Sequence, residues 1–336
     1  MRAARPAVWL LLAGSLGAEA APGSSFMSAP AGLPGSGSAT SRFLPNTYTA
    51  PVPTTGIPKD ADLAFAAYQR GRYVAAFREA TARIERNPAD AAAMTLLGEL
   101  YNQGLGVRQD AAAAARWYRL AAARGDERAM ASLGLMAADG RGVPRDLVES
   151  RRWFEAASAK REPTASYNLA LLLLASGSEA EIRRAADLMT VAAQAELGDA
   201  QHALGVMYAS GRGVARDREE AARWFLRALK NGSLAAEVEY AIALANGDGV
   251  AKDDAFAAIV FRRAALRGNA IAQNRLARLY ATGRGVSKNL VEAAAWNLVA
   301  AGQGLSDPWL DGQTGNLPEG ERTRAEALAS LRAGSL

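Results

Sequence analysis

The 336-residue sequence is half apolar but only 7 % aromatic, has no cysteine and one histidine, and holds a formal charge of +5. Without cysteine there is no disulfide, thiol nucleophile, thiolate metal site or lipidated cysteine, and one histidine excludes a histidine-based metal cluster. Alanine dominates, which favours helices packed through small side chains and disfavours strands.

At the start of the chain, Arg2 and Arg5 precede an apolar stretch from Ala7 to Gly17, and Ala18-Glu19-Ala20 follows with small residues at the spacing of a cleavage site. The pattern predicts a signal peptide over residues 1–20, cut before Ala21, and hence an exported chain, periplasmic or secreted. The alternative is an uncleaved anchor, but the apolar stretch falls short of the about 20 residues that a helix needs to cross hydrocarbon. No other stretch is apolar enough to span a membrane. Loss of Arg2, Arg5 and Glu19 lowers the formal charge from +5 to +4. That surplus is spread over arginine-rich helix faces, and export argues against nucleic acid as a partner. Residues 21–59, rich in Gly, Pro, Ser and Thr, read as a disordered linker. The alternative is an ordered strap held to the first repeat through Phe43, Leu44 and Tyr48.

The next segment, residues 60–89, carries Leu63, Gly71, Tyr73, Ala76, Ile84 and Pro88. This spacing resembles a tetratricopeptide unit, although Arg83 stands where that family usually has a small residue, and it predicts an N-terminal capping repeat.

Residues 90–302 are periodic. Gly-x-Gly-Val recurs at Gly104, Gly140, Gly211, Gly247 and Gly283, with steps of 36, 71, 36 and 36. The double step hides a degenerate copy at Ser176-Gly177-Ser178-Glu179. Small residues Gly98, Gly134, Ala170, Gly205, Ala241 and Ala277 step by 36, 36, 35, 36 and 36, and a bulky ladder of Trp117, Trp153, Met189, Trp224, Val260 and Trp296 slips at the same place. Six repeats of about 36 residues follow, the last partial, each a pair of helices. In copy two the helices are predicted over about 127–138 and 146–159, with Gly134 on the packing face and Trp153 and Phe154 supplying the bulk that meets it.

The glycine turn is read as a helix stop: the first Gly takes the left-handed position, the second frees the turn and Val returns to the core. Asp110, Asp146, Asp217 and Asp253 then stand where carboxylates cap the following helix. A phosphate loop would follow a strand and carry Gly-Lys-Ser/Thr, which is absent.

The copy-two pattern, from Ala129 through Leu133-Gly134, Gly140-x-Gly142-Val143 and Asp146 to Trp153-Phe154-x-Ala156-Ala157, resembles the Sel-one-like repeat, a relative of the tetratricopeptide repeat. The resemblance implies an all-α fold, a right-handed α/α solenoid of such helix pairs. Copies one, two, four and six match closely; copy three lacks the glycine turn and copy five has Val260-Phe261, so both are expected to be less rigid or bent. Beyond Trp296 the pattern gives way to a Gly/Asp-rich turn from Gly302 to Gly315, and residues 317–331 read as a C-terminal capping helix, closing residues 303–336.

No catalytic, cofactor or metal constellation is predicted. Each of the five lysines lacks a serine three positions before it, so the Ser-x-x-Lys of serine acylases is missing. This counts against the β-lactamase or penicillin-binding activity assigned to some members of the resembled family. In the curvature the resemblance implies, the first helices line a concave face, and the residue three before each small rung faces the groove: Thr95, Ala131, Tyr167, His202, Val238 and Asn274. Glu99, Asn102 and Arg278 lie one turn onward, and Asn246 nearer the loops. The candidate partner-binding set is therefore Glu99, Asn102, Tyr167, His202, Asn246, Asn274 and Arg278, with Asn274 and Arg278 placed to take a peptide or a carboxylate. The competing reading is that these residues are only solvated or weakly packed. The expected function is a non-catalytic scaffold of the bacterial envelope that binds a protein or peptide, in regulation or envelope assembly. The alternative is a cell-wall enzyme or binder, β-lactamase-like or peptidoglycan-binding.

Overall fold

The computed structural model describes residues 62–334. The predicted signal peptide and the whole of the linker lie outside the described residues. Among these, sixteen helices and no strand occur. A short pair, α1 (Leu63–Gln69) and α2 (Tyr73–Arg86), comes first. Six longer pairs follow: α3 (Ala91–Gln103) with α4 (Ala111–Ala122), α5 (Glu127–Asp139) with α6 (Leu147–Ser158), and α7 (Pro163–Ser176) with α8 (Glu179–Gln194). The remaining three are α9 (Gly198–Ser210) with α10 (Arg218–Lys230), α11 (Leu234–Asn246) with α12 (Asp254–Leu266), and α13 (Ala270–Thr282) with α14 (Leu290–Gly302). Two helices close the chain, α15 (Pro308–Thr314) and α16 (Glu319–Ala333). The fold is an all-α repeat solenoid, and the described chain divides within α7 into two compact units, one ending at Leu172 and one beginning at Leu173.

In the first unit, Ala64, Ala76, Leu97 and Leu100 form one core cluster, and Met94, Tyr118, Leu133 and Met136 another. In the second unit a longer core runs through Phe225, Leu244, Phe261, Leu276, Trp296 and Leu310.

The small ladder has a sharper meaning than its period suggests. A β-carbon at Gly98 would lie 2.6 Å from the Tyr118 ring, at Gly134 2.5 Å from Phe154, and at Gly205 2.6 Å from Phe225. The bulk that meets each glycine is therefore the residue after the tryptophan. Tyr118, Phe154, Phe225 and Phe261 are buried, whereas Trp117, Trp153 and Trp224 are half-buried. Copy five keeps the inner ring as Phe261 and lacks only the outer one.

The turns behave as expected and add a contact. In the Gly247 turn, Gly247 ends α11 with φ of 79° and Gly249 follows with φ of 69°. A β-carbon on Gly249 would meet the Arg218 carbonyl of the preceding pair at 1.9 Å, so this glycine is required by close approach as well as by conformation. The aspartates cap the next helices: Asp110 accepts from the Ala113 amide, Asp146 from Val148 and Glu149, Asp217 from Glu219 and Glu220, and Asp253 from Phe256. In two of the three turns that read Gly-Arg-Gly, the arginine reaches back one repeat: Arg212 donates to the Leu174 carbonyl at 3.0 Å and Arg284 to that of Ala245 at 2.9 Å.

The C-terminal region departs from expectation. The stretch read as a turn contains α15, because Asp307 caps it by accepting from Leu310 and Pro308 occupies the first helical position, both strong helix-start signals. The capping helix α16 is displaced by two residues from the predicted span, with Pro318 at its N-cap.

Candidate functional site

The sequence-predicted site residues fall into five environments. Asn274 and Arg278, on successive turns of α13, converge on a carboxylate that belongs to the chain itself. The Asn274 amide donates to Asp307 Oδ2 at 2.7 Å, while Arg278 Nε and its terminal nitrogen donate to Oδ2 and Oδ1 at 2.6 and 3.0 Å. The guanidinium also lies 5.1 Å from the Trp309 ring centroid. Burial would raise the Asp307 pKa, but Arg278, Asn274 and the Leu310 amide outweigh it and hold the carboxyl below its usual range. The pairing is bidentate, the strongest carboxylate geometry available to arginine.

Glu99 is half-buried on α3 and accepts from the Tyr118 hydroxyl at 2.7 Å and from Gln103. Burial pushes its pKa up, with Tyr118 and the charge of Arg141 pulling down. Asn102 and Tyr167 are buried; Asn102 Oδ1 has no hydrogen-bond partner among the described residues. His202 is half-buried, its ring 5.9 Å from that of Phe225, and burial lowers its pKa to about 4 against the opposing charge of Asp199. Asn246 is exposed and donates to Asp248 at 3.3 Å. Thus Asn274 and Arg278 are brought together, and Glu99, His202 and Asn246 each make separate contacts.

Residues outside the predicted set complete the face of the second unit. Arg275 is buried on α13; burial, and then the charge of Arg278, lower its pKa, with Asp307 and Glu239 opposing. Glu239 of α11 is pushed up by burial, with Arg275 opposing. A cleft of about 160 Å³ is lined by Ile271, Asn274, Arg275, Arg278, Ser306 and Asp307. A second, of about 150 Å³, is lined by Arg216, Arg218, Phe225, Glu239, Ile242 and Asp248. The dipeptide Asp307-Pro308 signals the first of these in the sequence. Arg275 and Glu239 are each one residue past a ladder position, a phase that spacing alone does not distinguish.

A repeating helix pair with a ring-on-glycine contact, capped turns and small clefts lined in part by its first helices defines a repeat protein of the tetratricopeptide-like class. The Sel1 repeat model matches residues 91–126, 127–161, 198–233, 234–269 and 270–305. The chain belongs to the Sel1 repeat family, whose repeats generally mediate protein–protein interaction. Residues 162–197, the copy without a Gly-x-Gly-Val turn, lie outside the match. Among solved structures, the chain is similar to a Sel1 repeat protein from Oxalobacter formigenes at 29 % identity and a TM-score of 0.59, covering 71 % of this chain and 98 % of that one. It is also similar to c5321, a protective antigen of uropathogenic Escherichia coli with an SLR fold, at 26 % identity and a TM-score of 0.54, covering 81 % of this chain and 68 % of that one. No curated protein matches the sequence.

Proposed function

We propose that the protein is an exported, non-catalytic adaptor that binds an extended segment of a partner protein along the first-helix, concave face of its repeats. The observation that carries this reading is the pair of clefts in the second unit, about 150 and 160 Å³, each joining apolar and charged side chains. Both are well below the roughly 300–1,000 Å³ typical of small-molecule sites, and each is of a size for one side chain. Glu239 and Ile242 on α11, with Asn274, Arg275 and Arg278 on α13, line successive stations for an extended peptide. Arg2, Arg5 and the Ala18-Glu19-Ala20 sequence support export to the bacterial envelope, where the partner would be a protein in regulation or assembly.

A photo-crosslinking amino acid at Ile242 tests the binding face in living cells. The expected result is a protein adduct at Ile242 that is lost when Arg275 and Glu239 are both changed to alanine, and none at Arg152 on α6. Equal adducts at both positions, or none at Ile242, overturn the reading. N-terminal sequencing of the mature protein tests export: a first residue of Ala21 is expected, and a retained residue 1–20 segment counts against it.

A further inference from the structure

The repeats supply an internal comparison that singles out one outward surface. Counted from the capping residue of each second helix, Phe256, Ile259 and Leu266 of α12 stand where α10 has Glu220, Arg223 and Lys230, and where α6 has Glu149, Arg152 and Ala159. All three are exposed, at 43, 64 and 57 %. The core does not need them, since Ala257, Ala258, Val260, Phe261, Ala264 and Ala265 already bury the opposite side of the helix. Two positions that are charged in both α6 and α10, and a third that is Lys230 in α10, are thus apolar in α12 where the helix meets solvent, which marks a contact surface.

Spacing and charge describe what the surface fits. Phe256, Ile259, Arg263 and Leu266 follow the three-four-three spacing of a helix-packing seam. Arg263 and Arg267 both pair with the single carboxylate of Glu237, whose side chain is 2 % exposed, yet remain 53 and 48 % exposed themselves. Arg262 donates to the Tyr280 hydroxyl rather than to a carboxylate. The seam is therefore edged by more positive charge than its own acids neutralise. A second copy of the chain offers no spare acid on this helix, because Asp253 caps it and Asp254 is held by Arg284. We propose that the outward face of α12 docks a helix of a partner protein, with an apolar seam against Phe256, Ile259 and Leu266 and acidic flanks against Arg262, Arg263 and Arg267. This surface is separate from the two clefts, neither of which α12 lines, and does not depend on them.

The test uses the whole chain and a synthetic three-heptad amphipathic peptide with leucine on its seam and glutamate on its flanks, followed by fluorescence anisotropy. The acidic peptide is expected to bind, Ile259→Glu to weaken it about tenfold, and a lysine-flanked peptide not to bind. Val148→Glu, at an equally exposed position of α6, is expected to leave binding unchanged, with helical circular dichroism confirming that both variants fold. Failure of the acidic peptide to bind, equal binding by Ile259→Glu, or equal binding of the lysine peptide overturns the proposal. Flotation with phosphatidylglycerol vesicles that requires Ile259 while peptide binding does not overturns it in favour of a membrane surface. A concentration-dependent dimer in sedimentation that Ile259→Glu abolishes overturns it in favour of a second copy.

Discussion

Gly134 and Phe154 show how one residue pair sets the distance between two helices. The Phe154 ring is buried and lies where a β-carbon on Gly134 would stand, so Gly134→Ala forces the ring or the backbone to move. A destabilisation of about 1–3 kcal/mol is expected for such overpacking, read from the urea midpoint at unchanged slope. The small ladder is legible from its period, but its partner is narrowed only to the pair Trp153-Phe154, because adjacent aromatics differ by about 100° around a helix and the choice between them comes from packing. His202 shows the same limit. Its position on a first helix is legible, but its packing against Phe225 is not. With its folded pKa at about 4 and an ordinary value of 6.5, the unfolded chain binds the extra proton between those values. His202 therefore contributes stability above about pH 6.5 that is lost as pH falls towards 4, by up to about 3 kcal/mol. Glu99, Glu162 and Glu239, with raised pKa values, act in the opposite direction, so the measurement is the difference between wild type and His202→Leu. That difference is expected to shrink steadily from pH 7 to pH 4; a constant difference excludes a histidine kept neutral by its packing against Phe225.

Each helix pair is bounded by two kinds of turn, and their glycines are not equivalent. Gly71 has φ of 71° with nothing within 4 Å of a β-carbon, whereas Gly249 has φ of 69° and a carbonyl at 1.9 Å. Gly71→Ala should cost about 1 kcal/mol from conformation alone, and Gly249→Ala about 3 kcal/mol or more because repeat contact is also broken. Comparable losses at the two sites would show that close approach adds nothing. Between pairs, Gly125, Gly232, Gly268 and Gly304 take left-handed conformations, but the positions flanking copy three are Arg161 at φ of 62° and Glu196 at 63°. Glu196 has compensation through Gln201, Arg227 and Asn231. Arg161→Gly is therefore the cleaner test, expected to raise stability by about 0.5–1 kcal/mol by relieving strain. At this scale the sequence was most readable, since Gly-x-Gly-Val and the capping aspartates are local signals. α15 escaped because its start signal, Asp307-Pro308, sits in a stretch whose glycines suggested a turn.

A solenoid must finish its stack, and the second unit does so with both apolar cover and charge. Ala294 and Ala295 of α14 pack with Leu317 and Ala325, Leu310 completes the long core, and Arg332 stacks 4.1 Å over the Trp296 ring while pairing with Glu292 at 2.7 Å. Asp307 simultaneously caps α15 and answers Arg278, next to buried Arg275. The cap and the candidate cleft are thus one construction, which explains why spacing exposed Asn274 and Arg278 as a site but not the acid that occupies them. Ending the chain after Gly302 would uncover α14 and leave two arginines of α13 without Asp307, a heavy cost for partly buried charge. The truncated protein is expected to lose more helical circular dichroism than α15 and α16 contribute, and Trp296 emission should shift to the red. Asp307→Ala in the full chain separates the two causes: it keeps the apolar cover, and its loss of stability, about 3 kcal/mol from the broken pair and cap together, measures the charged part alone. If the truncated chain loses only the signal of the deleted helices and keeps its urea midpoint, α13 and α14 close the stack without a cap.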